Sequence, residues 1–77
     1  MAGKPKKRSL TIAGHRTSIS LEDDFWDALK DMSKTKGKSL PVLIAEIDAG
    51  RDSRGLSSAI RSAILAFYRA QTRKSIH

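Results

Sequence analysis

Arg16-Thr-Ser-Ile-Ser-Leu-Glu-Asp-Asp-Phe-Trp-Asp-Ala-Leu29 changes its hydrophobic period from two to about 3.6 within a single residue. In its first six residues Thr17, Ile19 and Leu21 share one side of an extended chain, while Arg16, Ser18 and Ser20 share the other. That alternation predicts a half-buried strand. Glu22, Asp23 and Asp24 then stand where the first turn of a helix belongs, because carboxylates there complement unpaired amides and the positive end of the helix dipole. Phe25, Ala28, Leu29 and Met32, with Trp26 beside them, form the apolar stripe of a helix running to about Lys36. Gly37 is the residue suited to a left-handed cap at its end.

Further along, Ser39 is a good N-cap and Pro41 fits a first helical turn, where its missing amide hydrogen has no intrahelical role. Leu40, Leu43, Ile44 and Ile47 make the stripe of this second helix, which ends near Ala49. Gly50 to Gly55 reads as a polar loop. Ser57 or Ser58 can cap a third helix, 57–73, in which Leu56, Ala59, Ile60, Ala63, Ile64 and Phe67 recur at helical spacing. Before the strand, residues 1–8 lack apolar periodicity and carry Pro5 among lysines, the pattern of a flexible basic arm. Residues 74–77 form a tail.

One convincing strand cannot stand alone, since its backbone amides and carbonyls need partners. The first choice of partner is the same strand of a second chain, paired antiparallel about a two-fold axis. The second choice is local: Ser9 to Ala13 alternates weakly through Leu10 and Ile12, and Gly14 can start a turn, which allows a hairpin within the chain. The expected fold is mainly α, with an N-terminal strand paired across a homodimer, two core helices and an added C-terminal helix, over residues 9–73. The dimer core is expected to comprise Ile19, Leu21, Phe25, Trp26, Leu29, Leu43, Ile44 and Ile47.

A chain of 77 residues with no Cys has neither disulfides nor a thiolate metal site to supplement a small core, which also favours a second copy. Fifteen Lys and Arg against eight Asp and Glu give a net charge of +7, an imbalance that suits a polyanion. Lys4, Lys6, Lys7, Arg8 and Arg16 precede the first acid, although such a cluster also serves simply as a solvated tail. The longest apolar run, Leu40 to Ala45, is too short to span a bilayer, and no apolar segment of a secretory signal follows the basic start. A cytoplasmic setting is expected. His15 and His77 have no second ligand at metal spacing, the acidic quartet Glu22, Asp23, Asp24 and Asp27 lacks the pattern of a calcium loop, and no triad or phosphate loop is present. These observations point away from an enzyme and from any cofactor.

The run from Arg16 to Leu29, followed by Gly37-Lys-Ser-Leu40, resembles the ribbon-helix-helix superfamily of Arc-, MetJ- and CopG-like DNA-binding proteins, over roughly residues 16 to 49. From Lys7 to Ala49 the chain is also similar to short bacterial proteins assigned to that superfamily. The resemblance implies a dimeric β-ribbon in the major groove of double-stranded DNA, with Arg16, Ser18 and Ser20 at the base-contacting positions and Lys38 and Ser39 at a helix start that grips a phosphate. Unpaired helix-start amides attract an anion, although Pro41 removes one donor. Lys4, Lys6, Lys7 and Arg8 are the expected backbone contacts of the arm. Ser20 has a competing reading as a helix cap in a Ser20-x-x-Asp23 arrangement. Phe25 and Trp26 read as core residues more than stacking platforms. Transcriptional repression by occupancy is the leading reading; the alternative is an antitoxin or adaptor docking a protein partner through Ile60, Ile64 and Phe67, and a third is nonspecific RNA or DNA coating by the arm.

Overall fold

The computed structural model describes residues 4–75, with side chains described through residue 72. The order is β1 (Lys6–Ile12), β2 (His15–Leu21), α1 (Asp23–Lys36), α2 (Leu40–Gly50) and α3 (Leu56–Ser75). Two antiparallel strands form a hairpin, and three helices pack on one of its faces. The first three residues of the expected arm and the last two of the expected tail lie outside the described residues.

The strand that begins at His15 pairs with a strand of its own chain, the second of the two partners expected from sequence. Lys6 pairs with Leu21, Arg8 with Ile19, Leu10 with Thr17 and Ile12 with His15. Ala13 and Gly14 make the two-residue turn, both with positive φ (51° and 82°), the signs a type I′ turn requires. Ala13 is strained there, because its Cβ crowds the next carbonyl at a cost of about 1–2 kcal/mol. Ala13→Asn keeps the turn with a residue that tolerates it better. It should raise the free energy of unfolding by about 0.5–1 kcal/mol, read as a higher urea midpoint at unchanged slope.

β1 also absorbs Lys6, Lys7 and Arg8 of the expected arm. Arg8 falls in phase with Leu10 and Ile12, and its guanidinium lies 4.5 Å from the centre of the Trp26 ring. Lys6 and Arg8 both reach Asp23 at the start of α1, at 3.2 and 3.3 Å. The Nε of Arg8 is buried without a hydrogen-bond partner among the described residues. The facing π system compensates it electrostatically. These contacts dock β1 on α1, so Lys6 to Arg8 are part of the sheet.

The core is complete within one chain. Ile19, Leu21, Leu29, Leu43, Ile44 and Ile60 are each less than 2 % exposed or at that limit. Phe25, Trp26, Leu40, Ile47 and Phe67 pack around them as partly buried residues. The residues expected in a dimer core pack with α3 within the chain, which inserts Ala59, Ile60 and Ile64. The chain's own third helix and first strand contribute to this core. Ile60 and Ile64 are therefore core residues, which corrects their placement on a docking surface; Phe67 lies half-covered beside them, with Lys36 5.7 Å from its ring.

The helix boundaries follow local chemistry. Gly37 ends α1 at φ 67°, its amide donating to the Lys34 carbonyl, as a left-handed cap does. Ser39 caps α2 through its hydroxyl, which accepts from the Val42 amide at 3.4 Å. Ser20 and Ser57 play other roles than the caps expected of them. Glu22 is the N-cap of α1 and uses no side-chain cap. The Ser20 amide donates to the Ser57 Oγ at 2.9 Å, and the Ser20 carbonyl accepts from Arg61 at 3.0 Å. Together these bonds tie the free edge of β2 to α3.

Arg61 also reaches the Glu22 carboxylate at 3.0 Å. A backbone hydrogen bond at Glu22 itself, and then Arg61, hold that carboxyl below the ordinary glutamate value of 4.5. A lowered folded-state value means that the stabilisation is present above the unfolded value and disappears as pH falls through the folded one. Urea midpoints should therefore drop on acidification below about pH 4.5, and Glu22→Gln should flatten part of that decline.

Candidate nucleic-acid interface

The alternation that buries Thr17, Ile19 and Leu21 turns Arg16, Ser18 and Ser20 to the opposite side of the hairpin. β1 adds Lys7, Ser9 and Thr11 to that side, through the pairs Lys7 with Ser20, Ser9 with Ser18 and Thr11 with Arg16. The outer face thus carries two cations and four hydroxyls, with no acid and no apolar side chain. All six are exposed except Ser20, which is intermediate. Sequence reasoning located Arg16, Ser18 and Ser20 on this face and counted Lys7 among the contacts of the arm. It missed Ser9 and Thr11, whose signal was the same period-two alternation that placed Leu10 and Ile12 inside.

The distribution of charge within the chain sharpens this face. Most acids are matched by a cation nearby: Asp23 by Lys6 and Arg8, Asp27 by Lys30, Glu46 by Lys38, Asp48 by Arg51, Asp52 by Arg54 and Glu22 by Arg61. Lys7 and Arg16 are in none of these pairs. They sit at opposite ends of the outer face, at the rungs Lys7 with Ser20 and Thr11 with Arg16. At roughly 3.3 Å per residue the two rungs are about 13 Å apart. Lys4 extends the same end of the hairpin as Lys7 and is exposed. An unpaired cation keeps its full field for an external anion, whereas a paired one must first give up its carboxylate.

At the start of α2, the groups expected to grip a phosphate have partners within the chain. The Lys38 ammonium is held by both oxygens of Glu46, at 2.7 and 2.8 Å. The Ser39 hydroxyl is occupied as the cap acceptor for Val42. Pro41 has no amide hydrogen, and the Leu43 amide closes the first helical turn on the Ser39 carbonyl. Lys6 and Arg8 are likewise committed to Asp23 and Trp26. Of the expected phosphate contacts, Lys4 and Lys7 keep ammonium groups outside these ion pairs.

No group of His, Cys, Asp or Glu among the described residues is arranged to hold a metal ion, and none of the described helices is long and apolar enough to cross a membrane. Compared with known protein families, residues 5–68 match the one described as Ribbon-helix-helix domain. That span includes both strands, all of α1 and α2 and most of α3. No curated protein and no solved structure gives a match.

Proposed function

Because the chain belongs to the ribbon-helix-helix family, we propose that it is a sequence-specific DNA-binding regulator that sets the outer face of its hairpin in the major groove and represses by occupying its site. Ribbon-helix-helix domains are typically non-enzymatic and generally bind DNA as dimers, and we take this protein to act likewise, as a homodimer in the bacterial cytoplasm.

The observation that carries the reading is the outer face itself: Lys7 and Arg16, without acidic partners among the described residues, frame the hydroxyls of Ser9, Thr11, Ser18 and Ser20 on an exposed two-stranded ribbon. A ribbon of this width fits the major groove, where Arg pairs with guanine through two hydrogen bonds and a hydroxyl donates or accepts with less discrimination. The face carries no aromatic ring, so it lacks the stacking platforms by which single strands are held. Duplex is therefore the expected partner, in preference to single-stranded DNA or RNA. Positioning on the backbone falls to Lys4 and Lys7.

Selection of binding sites from a random duplex library tests the proposal. A sharp motif is expected, with affinity falling as salt rises by about 0.9 in the log–log slope for each phosphate contacted. A flat selection at every salt concentration removes it. The antitoxin or adaptor alternative loses its expected surface, because Ile60 and Ile64, the centre of that surface, are buried.

A further inference from the structure

We infer that the cavity at the turn end of the hairpin binds a small organic carboxylate with an apolar body, and that this ligand competes with DNA for Arg16. The binding site stands on its own geometry. The competition rests on the proposed function, whose regulation it would supply.

The cavity has a volume of about 410 Å³, within the roughly 300–1,000 Å³ of sites that hold small molecules. It lies between β2, the second half of α2 and the start of α3. Ile12, Ala45, Ala49 and Leu56 give it aliphatic walls, which favour a ligand that buries hydrocarbon over a fully hydrated ion such as free phosphate.

The polar groups of the wall fix the sign of the ligand's charge. Asp48 is neutralised by Arg51, which also donates to the Arg54 carbonyl at 2.8 Å. Arg16 lines the same cavity and is in none of the ion pairs among the described residues. The wall thus carries one uncompensated cation, with the His15 imidazole next to it in the chain as a further donor. A carboxylate is the anion whose two oxygens match a guanidinium through parallel hydrogen bonds.

The backbone gives a second reason. In an antiparallel pair every other residue turns its amide and carbonyl away from the partner strand. Ser20 is one of these, and its two groups bond to Ser57 and Arg61 of α3. Arg16, four residues earlier, is in the same phase of the ladder, so its amide and carbonyl face the same edge of β2. There, no hydrogen bond to either group is made among the described residues. The edge that α3 closes at Ser20 is open at Arg16, beside the cavity, and an open amide next to a free guanidinium suits a carboxylate.

Arg16 is also the proposed reader of guanine, and one guanidinium cannot hold a carboxylate and a base edge together. Ligand and duplex must therefore weaken each other by the same factor, about 5- to 150-fold for couplings of ordinary size. The ligand acts as a releasing signal.

The test uses the full-length protein, labelled with nitrogen-15, and octanoate as the probe. At millimolar concentration octanoate should move the amide signals of Arg16, Ala49 and Leu56 saturably, whereas 1-octanol and octylamine should not. Arg16→Gln should weaken octanoate several-fold. Ala49→Phe, which fills the cavity from an exposed position of α2, should abolish its binding. On a duplex obtained by site selection, saturating octanoate should lower affinity about 5- to 150-fold, and the Ala49→Phe protein should not respond. Absence of saturable shifts at these amides, or equal shifts from the alcohol, overturns the site. Octanoate that fills the cavity and leaves the duplex bound as tightly as before overturns the competition. A flat site selection with octanoate binding and its Arg16 dependence intact removes the DNA reading and upholds the site.

Discussion

Ile60→Ala is expected to lower the free energy of unfolding by about 2–5 kcal/mol, the usual cost of removing a large aliphatic side chain from a closed core. Small domains have only about 5–15 kcal/mol in total, so the variant should be partly unfolded at physiological temperature. Position is what makes the effect large. Ile60 is fully buried, and α3 brings it against a core that includes Ile19 and Leu21 of β2, Leu29 of α1 and Ile44 of α2. Leu65, on the same helix but 58 % exposed, is the matched control, and Leu65→Ala should change stability by less than about 0.5 kcal/mol. Urea unfolding followed by circular dichroism makes the comparison. If both substitutions prove equally mild, α3 is an appendage and the chain must complete its core with a second copy.

Arg16→Ala is expected to cost about 1–3 kcal/mol of DNA affinity, roughly 5- to 150-fold, with the loss concentrated at a single base position of the selected site. Arg16 is on the outer face and in none of the ion pairs among the described residues, so no described carboxylate competes with a guanine for its guanidinium. Lys7→Ala should behave differently, weakening all sequences alike and lowering the salt slope by about 0.9. Lys38→Ala should matter less than either, because its ammonium is already neutralised by Glu46. Fluorescence anisotropy on the selected duplex and on a scrambled one, at several salt concentrations, separates the three. An Arg16→Ala protein that retains full discrimination would show that the outer face is not the reading surface.

β1 is where sequence and structure part. The second strand, the three helices, the left-handed Gly37, the Ser39 cap and the orientation of Arg16, Ser18 and Ser20 were all legible, because each follows from a local rule: hydrophobic period, capping chemistry or side-chain alternation. The pairing partner of β2 was not. Leu10 and Ile12 gave only two apolar positions, and Ala13-Gly14 lacks the Asn or Asp that usually announces a two-residue turn. The lysines of the arm resembled a solvated tail because nothing in the local sequence shows that Asp23 and Trp26 lie across from Lys6 and Arg8. For the same reason Ser57 passed for a helix cap: its partner, the Ser20 amide, is 37 residues away. The stripe of Ile60, Ile64 and Phe67 fitted both a core and a docking surface, and only the packing of α3 on the hairpin distinguishes the two.

The stacking of Arg8 on Trp26 provides an optical readout of the sheet. Trp26 is the only tryptophan in the chain, so its emission comes from one known place, beneath a guanidinium contributed by β1. Any event that lifts the first strand from the helices must uncover that indole and change its colour and brightness. The unmodified protein therefore carries its own fluorescent gauge of strand attachment, which needs no label and can be followed in stopped-flow time.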